Sequence, residues 1–155
     1  MNNSARYAHG ENTLSSFSKH SIDAQTAQNA ITAAAAKARQ LGHNMSIAIC
    51  DESGITKATL RMDGAAEATM NIAQDKANTC ASFGQPTHAL WDYIKNDPPL
   101  LHGFPACPRV IVFGGGYPII EDGELIGAIG ISGGHYSDDM EVARAGLAAI
   151  GAPVG

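Results

Sequence analysis

Along the chain the apolar positions change period several times, and each change marks an element. From Ser21 or Asp23, either of which can cap, Ala27, Ile31, Ala34, Ala38 and Leu41 recur at spacings of four and three. That is one face of a helix, and Gly42 can close it. The face is mostly alanine, so its partner must come close, as a sheet surface would. Met45–Asp51 is a short apolar run that reads as a buried strand, Glu52-Ser53-Gly54 turns the chain, and Ile55–Met62 returns as a second strand. Asp63-Gly64 breaks it. Ala65–Phe83 is predicted as a second helix, with Met70, Ala73, Ala77 and Cys80 or Ala81 on one face, Gln74, Asp75, Lys76 and Asn78 on the other, and Gly84 at its end.

Pro86-Thr87 opens a short third helix to about Lys95, with Thr87 as its cap. Asn96–Pro108 then forms a long connection with four prolines, a length that in a compact domain marks function or an interface. Arg109–Phe113 is predicted as the third strand. Tyr117–Glu121 and Glu124–Ser132 form a hairpin around Asp122-Gly123, a pair that tolerates the positive φ of a type I′ turn. Ser137 caps a last helix whose first turn holds Asp138, Asp139 and Glu141, matching the helix dipole. Met140, Ala143, Leu147 and Ile150 face inward there, and Gly151 ends it. Five strands and about four helices, in two hairpin-like pairs around a helical insert, predict an α+β chain with a largely antiparallel five-stranded sheet. A doubly wound parallel sheet would need strands and helices to alternate.

Composition narrows the class. The chain has 155 residues, 45% of them apolar, enough for one domain over 21–155 behind a polar arm at 1–20. A net charge of −5 without a basic cluster argues against nucleic acid as a partner. No apolar run approaches the roughly 20 residues of a membrane span. The arm lacks the apolar core of a signal peptide, so a cytoplasmic location is expected. Cys50, Cys80 and Cys107 are odd in number and spread out, a pattern of buried reduced thiols rather than disulfides or a zinc site.

The glycine-dense stretch Phe113–His135 draws the candidate chemistry together. The hairpin carries Gly114–Gly116 and Gly133–Gly134 to the same end, where backbone can approach closely. A phosphate loop or a dinucleotide fingerprint would need a helix after the first glycines, and a strand follows instead. No Gly-x-Ser-x-Gly elbow is present. His9, His20 and His43 read as surface residues. His88, His102 and His135 lie at a helix start, in the long loop and after the second glycine break. His135 in a glycine-lined recess suits a haem or metal ligand or an acid–base group, or else a loop histidine bonded to backbone. Arg61 either pairs with Asp63 or Glu67 or clamps a carboxylate, and Lys76 is either solvated or an anion partner.

Several blocks together resemble the GlcG-like, HbpS-type haem-binding family, which includes the carboxy-terminal domain of PduO-type proteins. They are Ser46-Ile47-Ala48-Ile49 with Asp51, Arg61-Met62-Asp63-Gly64-Ala65, Ile72-Ala73-Gln74-Asp75-Lys76-Ala77, Phe83-Gly84-x-Pro86-Thr87, Phe113-Gly114-Gly115-Gly116-x-Pro118-Ile119 and Gly127–Gly134, in family order over 21–151. The resemblance implies a profilin-like α/β/α fold with helices on both faces of the sheet, homo-oligomers, and binding of haem, a related tetrapyrrole or another small molecule, often in catabolic operons. The expected ligand-binding positions are Arg61, Lys76, Thr79, Phe113, Gly114, Gly115, Gly133 and Gly134. Two departures place imidazole where members usually have none, His135 after the last glycines and His102 before the third strand. His135 is then the candidate haem-iron ligand. In the competing reading, an enzyme acting as a lyase, isomerase or hydrolase on a carboxylated metabolite, His135 or His102 moves the proton while Arg61 and Lys76 hold the anion.

Overall fold

Asp23 starts the first helix of the computed structural model, which describes residues 14–155: its carboxylate accepts the Thr26 N–H at 2.7 Å. The expected arm extends over residues that include His9 and lie outside the described ones. Within 14–20, His20 Nδ1 meets Glu124 at 3.0 Å. The elements are α1 (Ala24–Gln40), β1 (Ser46–Asp51), β2 (Thr56–Arg61), α2 (Ala68–Phe83), α3 (Thr87–Ile94), α4 (Pro98–Gly103), a 3₁₀ turn (Phe104–Ala106), β3 (Gly116–Glu121), β4 (Glu124–Ser132) and α5 (Tyr136–Ala149). No helix among the described residues is long and apolar enough to cross a membrane.

The sheet has the order β2-β1-β4-β3 and is antiparallel throughout. Side chains alternate across it. Ile47 and Ile49 of β1 and Ile129 and Ile131 of β4 pack with the alanine face of α1 and with Val142, Ala143 and Leu147 of α5. On the other face Cys50 and Ala128 meet Ala77, Cys80 and Ala81 of α2. The small residues set these distances. A Cβ on Gly130 would overlap the Ala73 carbonyl, so α2 lies directly on the β4 backbone. Gly146 lets α5 approach α1, since a Cβ there would come within 2.8 Å of the Ile129 side chain and 3.1 Å of the Ala30 carbonyl.

The hairpin turn is as predicted, with Asp122 at φ 50° and Gly123 at φ 84°. Four strands are found among the described residues, not five. Arg109–Phe113 is not a strand, because its polar backbone is satisfied by a helix. Thr79 Oγ1 accepts the Ile111 N–H at 3.0 Å and lies 3.1 Å from the Arg109 carbonyl, and Arg109 itself turns to φ 62°. The long connection is not structureless either, since Asp97 caps α4 within it. Two caps differ from expectation. Thr87 lies inside α3, where its buried hydroxyl is used elsewhere, and His135 rather than Ser137 precedes α5. Cys50 and Cys80 are buried, whereas Cys107 is exposed.

Candidate functional site

The glycine-bearing ends of β3 and β4 meet α3 and the start of α5, and an apolar recess of about 300 Å³ opens there. His88 and Trp91 enter it from α3, Val112, Phe113 and Gly114 from the segment before β3, and Tyr136 from α5. Two local features hold these walls together. Thr87 Oγ1, fully buried, accepts the Gly116 N–H at 3.1 Å and pins α3 to the start of β3. Gly114 has no Cβ, which would come within 2.5 Å of Met140 Sδ, so α5 closes over the loop. His88 and Trp91, three positions apart on a helix, share a side. Trp91, Phe113 and Tyr136 stay 44–49% exposed, an unusual aromatic surface for a chain with 6% aromatic residues.

His88 supplies the imidazole of this recess. Its ring lies 5.5 Å from that of Tyr117, and its Nδ1 is buried without a hydrogen-bond partner. Burial lowers its pKa, the nearby Arg144 charge lowers it further, and Asp92 opposes them. The imidazole is therefore neutral at neutral pH, the form that binds metals.

Behind the Phe113 wall lies a buried ion pair. Lys76 Nζ donates to Asp139 Oδ2 at 2.7 Å and to the Ile131 carbonyl at 2.8 Å, with the Phe113 ring 4.8 Å away. Asp139 Oδ1 accepts the Gly134 N–H at 3.1 Å. Removal from water pushes the Lys76 ammonium pKa down and the Asp139 carboxyl pKa up, and their mutual attraction opposes both. A Cβ on Gly115 would sit 2.7 Å from Asp139 Cβ and 2.8 Å from Lys76 Nζ, which is why the loop is glycine there. Lys76, Gly115 and Gly134 are thus joined in one network, with Lys76 enclosed.

The other expected positions are dispersed. His135 is exposed; its Nδ1 accepts the Ser137 N–H at 3.3 Å and its ring lies tilted against that of Tyr136 with 4.2 Å between centroids. His102 is exposed on α4. Gly133 adopts φ 143° against the backbone of Asn44 and Met45. Thr79 is buried under Arg109–Ile111. Arg61 donates to the Ala65 carbonyl at 2.8 Å and lines a different recess, shared with none of Lys76, His102 or His135. Only Phe113 and Gly114 of the expected ligand-binding set line the aromatic recess. His88, Trp91 and Tyr136 were not selected from sequence, although the His88/Trp91 spacing on a short helix was the available signal. No group of three or more His, Cys, Asp or Glu side chains able to hold a metal ion occurs among the described residues.

The family model described as "Haem degrading protein HbpS-like" matches residues 22–148. The chain belongs to the HbpS-like family. It is 37% identical over 120 residues to the corrinoid adenosyltransferase PduO of Salmonella typhimurium, a stretch that is 76% of this chain but 35% of that protein. The chain therefore spans about a third of that relative. Protein GlcG of Escherichia coli is 32% identical over 111 residues, 72% of this chain and 81% of its own. Among solved structures, PduOC in complex with haem superposes with a TM-score of 0.78 at 31% identity, covering 86% of this chain and 98% of that one. Klebsiella pneumoniae protein ORFY gives 0.81 at 29% identity, covering 89% and 96%.

Proposed function

We propose that this HbpS-like chain binds haem or a related tetrapyrrole in the recess between α3 and α5, where His88 would be the residue that holds the iron. The observation that carries this reading is His88 itself, a neutral, partly desolvated imidazole with an unpartnered buried nitrogen between aromatic walls. The donor set fits the group: imidazole nitrogen suits iron, and the faces of Trp91, Phe113 and Tyr136 suit a flat apolar macrocycle. The haem-bound structure of PduOC supports the same ligand class. Haem iron would supply ligand or redox chemistry, while the chain's part is to present the imidazole, exclude water from one face and hold the loop at Gly114–Gly115 through Lys76. A recess of about 300 Å³ is at the small end for ligand sites, so a whole macrocycle would extend beyond it. The exposed aromatic rim fits closure by a second copy of the chain.

Haemin titration tests this. A Soret shift in the tens of micromolar is expected, lost in His88→Ala and retained in His135→Ala and His102→Ala. Absence of a shift in the wild-type chain, or an unchanged titration in His88→Ala, overturns the assignment.

A further inference from the structure

At the same end of the sheet, but beside β2 rather than β3, lies a second recess of about 300 Å³ formed by Arg39, Asn44, Leu60, Arg61, Met62 and Asp63. It shares no residue with the aromatic recess. Two of the chain's five arginines meet here in a molecule of net charge −5. Neither is in an ion pair among the described residues, although Asp63 stands on the same rim. With two guanidinium groups against one carboxylate, the rim keeps a local charge of about +1, since arginine stays protonated.

The surroundings position Arg61 and Asn44. Arg61 Nη1 donates to the Ala65 carbonyl at 2.8 Å, which fixes the head and leaves its other N–H groups for a ligand. Gly64, at φ 82° and without a Cβ, lets the Asn44 amide lie against the turn, since a Cβ would come within 2.9 Å of Asn44 Nδ2. The buried Met62 and half-buried Leu60 give the recess an apolar floor. Two like charges on the rim of one recess repel each other, an anion between them would relieve that repulsion, and a planar guanidinium offers an oxyanion two parallel hydrogen bonds.

We propose that this recess is a binding site for a small oxyanion, a carboxylate or a phosphate, gripped by Arg39 and Arg61 with the Asn44 amide as a further donor. It is independent of the tetrapyrrole reading. The side-chain Nε–H resonances of the ¹⁵N-labelled full chain, titrated with sodium oxalate or inorganic phosphate at constant ionic strength against sodium chloride, test it. Saturable shifts at Arg39 and Arg61 are expected. Arg39→Gln and Arg61→Gln should each weaken binding about tenfold, the usual loss with one charge-assisted contact. Asp63→Asn should tighten it by removing the competing carboxylate. The tighter of the two probes assigns the anion class. Shifts that rise linearly as in chloride, or saturation unchanged in both arginine variants, overturn the proposal.

Discussion

His88 and Lys76 show how burial gives individual residues their character here. The His88 pKa is lowered in the folded chain, so below about 6.5 the unfolded chain takes up a proton that the native state resists. Stability should therefore rise as pH increases toward that value and level off above it. Urea unfolding between acid and neutral pH should show this slope, and His88→Gln should flatten it. Lys76 is fully enclosed and Asp139 nearly so, each satisfying the other at 2.7 Å. Lys76→Ala strands a buried carboxylate and should destabilise by about 3–5 kcal/mol, whereas Lys76→Met with Asp139→Leu should recover most of that loss. Urea midpoints of the three chains check both statements.

At the scale of elements, glycine decides how closely helices lie on the sheet. Gly130→Ala would force α2 off β4, because the new methyl overlaps the Ala73 carbonyl. The backbone there has no room to yield, so the loss should exceed the 1–3 kcal/mol usual for overpacking. Gly103→Ala, at φ −80° with no atom within 4 Å of the new Cβ, should change little in the same thermal unfolding series. Most elements were legible from periodicity and punctuation: α1 between Asp23 and Gly42, α2 ending at Gly84, and the hairpin at Asp122-Gly123 all follow local rules. Arg109–Phe113 was not, since Thr79, some 30 residues away in sequence, takes the backbone groups that a neighbouring strand would need. His135 as the residue before α5 was equally hidden, because an imidazole is not a usual cap.

At the scale of the whole molecule, the aromatic rim of Trp91, Phe113 and Tyr136 leaves three large rings half-exposed around one recess. Light scattering should give a mass that is a multiple of the 16.1 kDa chain, and Trp91→Glu should shift it toward one chain while weakening haemin binding. A single-chain mass for the wild type would remove the idea that a second copy closes the recess.

The sequence by itself determined the family, most of the helices, the hairpin turn and the glycines that bring backbones together, because turn chemistry, caps and periodicity act over a few residues. Only the tertiary structure decided which chemistry shares a recess. It enclosed Lys76 with Asp139, 63 positions away in sequence, set Arg61 on one recess with Arg39, and left His135 against Tyr136 at the surface. It also drew His88 up to Phe113 and Gly114, through the bond from Gly116 to Thr87. Side-chain convergence depends on contacts between distant segments, which no local pattern records.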